Sequence, residues 1–185
     1  SLYAGEDAGR GKVHFLRTQM RQFGFNFLGL QETRCAEICS CVDDVYRLGG
    51  GADHGHWGTE LWIDLARPIA YVRKQPIYLS KQDIVVLFKS PRLLLVRVDH
   101  WLWSALVVVA HAPQSGQCEI DRAKWWQHFG DVIQQFHDGS PLFLMIDANA
   151  APGPADGCAV GSDHFQTSKN TRFLRDFLNS YDLCL

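Results

Sequence analysis

Between residues 11 and 23 the apolar side chains Val13, Leu16, Met20 and Phe23 recur at spacings of three and four, with Arg17, Arg21 and Gln22 between them. A helix that buries one stripe has this period, so the spacing predicts an amphipathic helix over 11–23, stopped at Gly24. The chain then becomes continuously apolar and aromatic from Phe25 to Leu30, which is too short for a helix and reads as a buried strand. Further short strands are expected at 59–65, 68–72, 83–89 and 91–98. Residues 92–111 should form a hairpin turning near Asp99-His100, where a polar break interrupts β-branched residues. Gly49-Gly50-Gly51 and His54-Gly55-His56 mark a flexible loop.

Residues 117–137 carry the strongest helical signal, with Ile120, Ala123, Trp126, Phe129, Ile133 and Phe136 on one face. A strand at 142–146 and a second amphipathic helix at 171–181 follow. The intervening 150–168 is rich in Gly, Pro, Ala and Ser and is expected to be loop. The last residues, Leu183-Cys184-Leu185, look like the start of another strand. Helices alternating with strands indicate a mixed α/β domain, and 185 residues suffice for one such core.

Composition narrows the class. A hydrophobic share of 46% and a charged share of 21% are those of an ordinary globular chain. The longest apolar run, Leu102 to Ala110, is broken by Ser104 and falls short of a bilayer span. The first seven residues have neither a basic leader nor an apolar signal core. With 18 basic and 20 acidic residues, the formal charge of −2 argues against a protein that coats nucleic acid by bulk positive charge. It leaves room for local phosphate contacts. The six cysteines are scattered, which leans towards a reducing, intracellular compartment. Cys35, Cys39 and Cys41 lack paired C-x-x-C spacing and a following His pair, so they read as a reduced loop rather than a zinc site.

Three apolar stretches each run into a polar cluster: Gln31-Glu32-Thr33-Arg34, His111-Ala112-Pro113 and Asp147-Ala148-Asn149. Strand ends in layered α/β folds commonly hold the site. If the strand stays extended, Asp147 and Asn149 share a face, where a carboxylate can orient water and an amide can donate to a phosphoryl oxygen. Asp-x-Asn is equally a common turn sequence. Glu32 is a candidate Mg2+ ligand or a carboxylate exposed at a loop mouth. His111 can stabilise phosphate charge or be a satisfied strand-end histidine.

These clusters, in this order, resemble the endonuclease/exonuclease/phosphatase superfamily, the DNase I-like group, with closest similarity to abasic-site and retrotransposon endonucleases. Leu30-Gln31-Glu32-Thr33 looks like its metal-binding motif, His111-Ala112-Pro113 like its His/Tyr-x-Pro element and Ile146-Asp147-Ala148-Asn149 like its Gly-Asp-Phe-Asn motif. Gly58 to Ile63 fits the loop and strand after the first motif, and Asn170-Thr171-Arg172-Phe173-Leu174 is similar to a retrotransposon endonuclease segment. The resemblance implies a four-layer α/β sandwich of two packed sheets flanked by helices. Residues 1–185 would be a single partial domain, incomplete at both ends. An upstream Asn-bearing strand and a downstream catalytic Ser-Asp-His are the expected missing parts. Ser162-Asp163-His164 stands too close to Asn149 to replace the latter and reads as a turn approaching a helix.

The resemblance also implies roles. Glu32 would hold Mg2+, with Mn2+ as an alternative. Asp147 would orient the nucleophile, and Asn149 and His111 would contact the phosphate; Arg34, by its position immediately after the metal motif, is a candidate substrate contact beside Asn149. The expected activity is Mg2+-dependent hydrolysis of a phosphodiester, with DNA as the substrate and partner, in the nucleus if the chain derives from a retroelement. The alternatives are an inositol-phosphate or phospholipid phosphoesterase of the same fold and a non-catalytic remnant or binding module. Arg172 and Arg175 read as solvated helix charge, and Trp101, Trp103, Trp125 and Trp126 as core and rim.

Overall fold

The computed structural model describes residues 6–151 and 168–183, with side chains from residue 11 onward. They fall into two compact units. The first comprises residues up to Ala110 with His137–Ile146, the second His111–Phe136 with residues from Asp147 onward. Ser162-Asp163-His164 and Cys184-Leu185 lie outside the described residues.

The first unit opens with helix α1 (Glu6–Phe23), whose end is capped by Gly24 at φ +75° and by the Phe25 N–H donating to the Met20 carbonyl at 3.0 Å. That cap occupies Phe25, so strand β1 runs Phe27–Gln31 rather than starting at Phe25. Strands β2 (Ile38–Val42), β3 (Val45–Gly49) and β4 (Thr59–Asp64) join it in an antiparallel sheet of order β1-β4-β3-β2. A small hairpin, β5 (Ala70–Val72) with β6 (Gln75–Ile77), precedes β7 (Ile84–Ser90), β8 (Leu93–His100), β9 (Trp103–His111) and β10 (Leu142–Asp147). The second large sheet has the order β10-β9-β8-β7. Leu106 N–H donates to the Pro141 carbonyl and Ala112 N–H to the Asp147 carbonyl, so both partners advance together and β9 and β10 are parallel.

The two sheets pack face to face in the first unit. Leu48, Leu61 and Ile63 of one meet Leu94, Val96, Val98, Val107 and Val109 of the other, and Met145 packs against the same cluster. Alternate positions point the other way: Val45 and Trp62 form a second cluster with Met20, Val13 and Leu16 of α1. β4 is therefore buried along its whole length, which is why its sequence shows no simple alternation.

Glu60 sits in that second layer at 1% exposure. Its Oε2 accepts from Arg47 Nη2 at 2.8 Å and from Trp62 Nε1 at 2.7 Å, and the Arg47 guanidinium stacks 4.7 Å over the Trp62 ring. The Cys35 thiol packs against the same cluster, where burial raises its pKa and the Glu60 charge adds to the effect.

Two features depart from the sequence expectation. The β8–β9 turn falls at Trp101-Leu102, because Asp99 and His100 remain paired with Ser104 and Trp103. The cysteine segment is a strand: Cys39 and Cys41 lie on β2, which turns into β3 through Asp43-Asp44 at φ +49° and +62°. Aspartate tolerates this left-handed geometry, which suits a two-residue hairpin turn.

The second unit holds helices α2 (Glu119–Phe136) and α3 (Thr171–Ser180). Phe129 stacks on Phe177 with ring centroids 4.4 Å apart, and Tyr181 Oη donates to the Gly130 carbonyl at 3.2 Å. No helix among the described residues is long and apolar enough to cross a membrane.

Removing one member of a buried ion pair strands the other charge, so Arg47→Ala should lower unfolding stability by about 3–5 kcal/mol. The double variant Arg47→Ala/Glu60→Leu should recover part of it, and urea midpoints measure both. With its pKa raised, Cys35 should be alkylated more slowly at pH 8 than the exposed Cys39, as mass spectrometry of iodoacetamide-treated protein would show.

Candidate functional site

The end of β1 is held by side chain and backbone alike. Gln31 Nε2 donates to the Met145 carbonyl at 3.0 Å, tying the end of β1 to β10. The next residues leave the sheet abruptly, with Glu32 at φ +52° and Arg34 at φ +55°. Thr33 between them is buried; its N–H donates to the Gly58 carbonyl at 3.1 Å and the Arg34 N–H to the Trp57 carbonyl at 2.8 Å. Gly58 N–H in turn donates to the Pro91 carbonyl at 2.9 Å. Three chain segments are thus stitched into one platform. Left-handed backbone at non-glycine residues costs about 1–3 kcal/mol each and persists where surrounding bonds over-determine it, commonly at functional sites.

The platform presents a compact set of side chains. Glu32 and Arg34 are both half-exposed and lie 3.6 Å apart. The Arg92 guanidinium stacks 4.3 Å over the Trp57 ring; burial lowers its pKa, and the negative charge of Glu32 opposes that shift. Among the described residues no group of three or more His, Cys, Asp or Glu could hold a metal ion. Glu32 alone fits the one-carboxylate, largely hydrated mode in which Mg2+ is often bound, and does not fit a dehydrated protein cage.

The second unit carries the other sequence-predicted residues. His111, 3% exposed, is the last residue of β9, and the exposed Asp147 is the last of β10. His111 Nε2 and Asp147 Oδ2 are 3.9 Å apart, a charge pairing when the ring is protonated but too long for a hydrogen bond. Extended geometry stops at Asp147, so the shared-face expectation for Asp147 and Asn149 does not hold. Asn149 adopts φ +45°; its N–H donates to Asp147 Oδ1 at 3.0 Å and its Nδ2 to the Ala112 carbonyl at 2.9 Å. The local turn brings Asn149 back to the His111 loop. The structure therefore brings together His111, Asp147 and Asn149 in this unit, and Glu32 with Arg34 in the other.

Two solved structures share the architecture. The AP endonuclease LMAP from Leishmania major matches with a TM-score of 0.59 at 14% identity, over 92% of this chain and 61% of that one. The endonuclease domain of TRAS1, a telomere-specific non-LTR retrotransposon, matches with a TM-score of 0.58 at 12% identity, over 89% and 62%. The fold is DNase I-like. The chain spans about three-fifths of the length of either structure. No family sequence model and no curated protein sequence matches it.

On this DNase I-like frame, several supporting residues escaped the sequence reading. Trp57 and Arg92 are far apart in sequence and meet only through the Gly58–Pro91 bond; a Trp beside a glycine in a polar loop was the available signal. Asn170 entered the sequence analysis only within the segment similar to retrotransposon endonucleases; it precedes α3, where its side chain makes no cap bond. It is fully buried and reaches the site loops, as does Arg122 through it. A groove of about 600 Å³ between α2 and α3 contains none of the candidate residues.

Gly58, at φ +96°, has no room for a side chain, since a Cβ there would sit 2.5 Å from Thr33 Oγ1 and 3.0 Å from the Arg34 nitrogen. Gly58→Ala should therefore destabilise the protein by roughly 1–3 kcal/mol. Thermal unfolding followed by circular dichroism measures the loss.

Proposed function

We propose that the chain is the metal-binding and phosphate-binding part of a Mg2+-dependent phosphodiester hydrolase acting on DNA. The observation that carries the reading is that, on a DNase I-like fold, Glu32 follows β1, His111 ends β9 and Asp147 ends β10. Glu32 would hold Mg2+, or Mn2+ in its place, and the ion would supply positive charge that offsets the negative charge of a phosphate. Asp147 holds the attacking water by accepting a hydrogen bond from it. A carboxamide has two N–H donors, so Asn149 keeps one for a phosphoryl oxygen beyond the bond to Ala112. His111 adds positive charge beside the same oxygens when protonated, and Arg34 grips the backbone of the nucleic acid.

DNA is favoured over an inositol phosphate by the Arg92–Trp57 stack next to the Glu32–Arg34 pair. An aromatic face with a guanidinium suits nucleobases and their phosphates, whereas an inositol ring has no π-face to stack. One observation supports the non-catalytic alternative: Arg34 lies against Glu32, where it competes for the carboxylate with a cation.

Supercoiled plasmid distinguishes these readings. The 185-residue chain, or a version extended on both sides, should nick it with Mg2+, stop on addition of chelator, and lose about 100-fold or more in rate on Glu32→Ala. Trp57→Ala should weaken DNA binding by about 5-fold or more. Phosphate release from inositol phosphates without nicking would favour the phosphatase. Inactivity of both forms, or an unchanged rate in Glu32→Ala, would reject the enzyme.

A further inference from the structure

Asn170 is fully buried, yet its side chain is crowded with polar partners. Nδ2 lies 2.7 Å from the Pro113 carbonyl, 3.1 Å from that of Ala148 and 3.2 Å from that of Asn149. Two N–H donors are thus shared among three carbonyls, which belong to both strand-end loops. Oδ1 accepts from Arg122 Nη1 at 3.1 Å. Arg122 is itself buried at 3% exposure, and donates further to the carbonyls of Lys169 and Gln117 at 2.8 and 3.2 Å. The amide can therefore present its donors to the loops in only one orientation.

Neighbouring residues reinforce the loop that follows Asp147. Ser168 Oγ donates to the Asn149 carbonyl at 3.3 Å and accepts from the Ala151 N–H at 3.2 Å, while Thr171 Oγ1 donates to the Ala151 carbonyl at 2.7 Å. Asn149 itself is held in left-handed backbone, a conformation that needs such external bonds to persist. Burying a polar carboxamide and a guanidinium is costly unless every partner is supplied. Here the partners are the carbonyls of the very segments that carry His111, Asp147 and Asn149.

We infer that Asn170, locked by Arg122, is a positioning residue that sets the spacing of the His111 loop and the Asp147–Asn149 loop for phosphate chemistry. The inference rests on the phosphodiesterase reading for its consequence in turnover, but not for its consequence in loop geometry. Asn170 has no exposed surface and does not touch substrate; it acts through the Pro113, Ala148 and Asn149 carbonyls.

N170D tests this with little change in size. Its carboxylate still accepts from Arg122, so the fold is retained, but both N–H donors are lost and negative charge faces three carbonyls. In the chain that nicks plasmid, kcat should fall about 10- to 100-fold with KM changed less than 2-fold, in the range seen when groups that orient site residues are lost. The ratio of N170D to wild-type kcat should rise towards acid pH, as the carboxyl protonates and regains one O–H donor. The His111 ring titration followed by NMR should shift its midpoint, whereas N179D on the exposed face of α3 should leave kcat and midpoint alone. Unchanged kcat with an unmoved His111 midpoint overturns the inference, as does a loss confined to KM. If the wild type never nicks, the phosphodiesterase reading fails and the His111 midpoint in N170A, which adds no charge, alone decides: moved upholds the positioning role, unmoved rejects it.

Discussion

The first unit depends on how closely its two sheets approach at Gly29. A Cβ at that position would stand 2.7 Å from the Met145 Cβ and 3.2 Å from Val109 Cγ2, so these two side chains pack directly on the bare Gly29 backbone. Glycine weakens a strand interior, and its use here marks close packing of one sheet on the other. The approach fixes β1 against β10, and one residue pair beyond, Gln31 bonds the Met145 carbonyl. Elsewhere in the layer Leu61, Ile63, Val107 and Val109 fill the gap at full burial. The strand that delivers Glu32 is thereby anchored by packing on one side and by a hydrogen bond at its tip.

From that anchor the chemistry is arranged by backbone rather than by long side-chain networks. Glu32 and Arg34 leave β1 in left-handed conformation because Thr33 is pinned between Gly58 and its own burial. In the second unit Asn149 is bent in the same sense and held by Asp147, Ala112 and the Ser168–Asn170 segment. The two groups of candidate residues share one strategy: a strand supplies position, then a strained turn aims the polar group. Such turns are stable only while their hydrogen bonds survive, which makes glycine and buried asparagine as important as the charged residues they serve.

Much of this was legible in the sequence. The period of Val13, Leu16 and Met20 gave α1, and the runs around Phe27, Val107 and Leu144 gave β1, β9 and β10, because these elements bury a regular stripe or a whole strand. The residues at the strand ends could be named for the same reason. The β2–β3 hairpin was missed because its turn uses Asp-Asp rather than a glycine and its strand is dominated by cysteines. At Asp147–Asn149 the sequence left a continued strand and a turn both open, because two-residue alternation describes a strand only while the strand continues, and the structure has the turn. The roles of Asn170, Arg122, Trp57 and Arg92 were hidden for a different reason: Arg122 meets Asn170, Asn170 meets the Pro113, Ala148 and Asn149 carbonyls, and Arg92 meets Trp57 only where the fold brings distant segments together. The DNase I-like architecture was accessible from motif order at an identity to known structures of only 14%.

The central claim is that Glu32 binds a divalent cation, and paramagnetic NMR tests it independently of turnover. Mn2+ added at substoichiometric levels should broaden the amide resonances of residues 31–34 first, excess Mg2+ should restore them, and Glu32→Gln should abolish the effect. Broadening that is absent at these residues, or that persists unchanged in Glu32→Gln, would contradict the account.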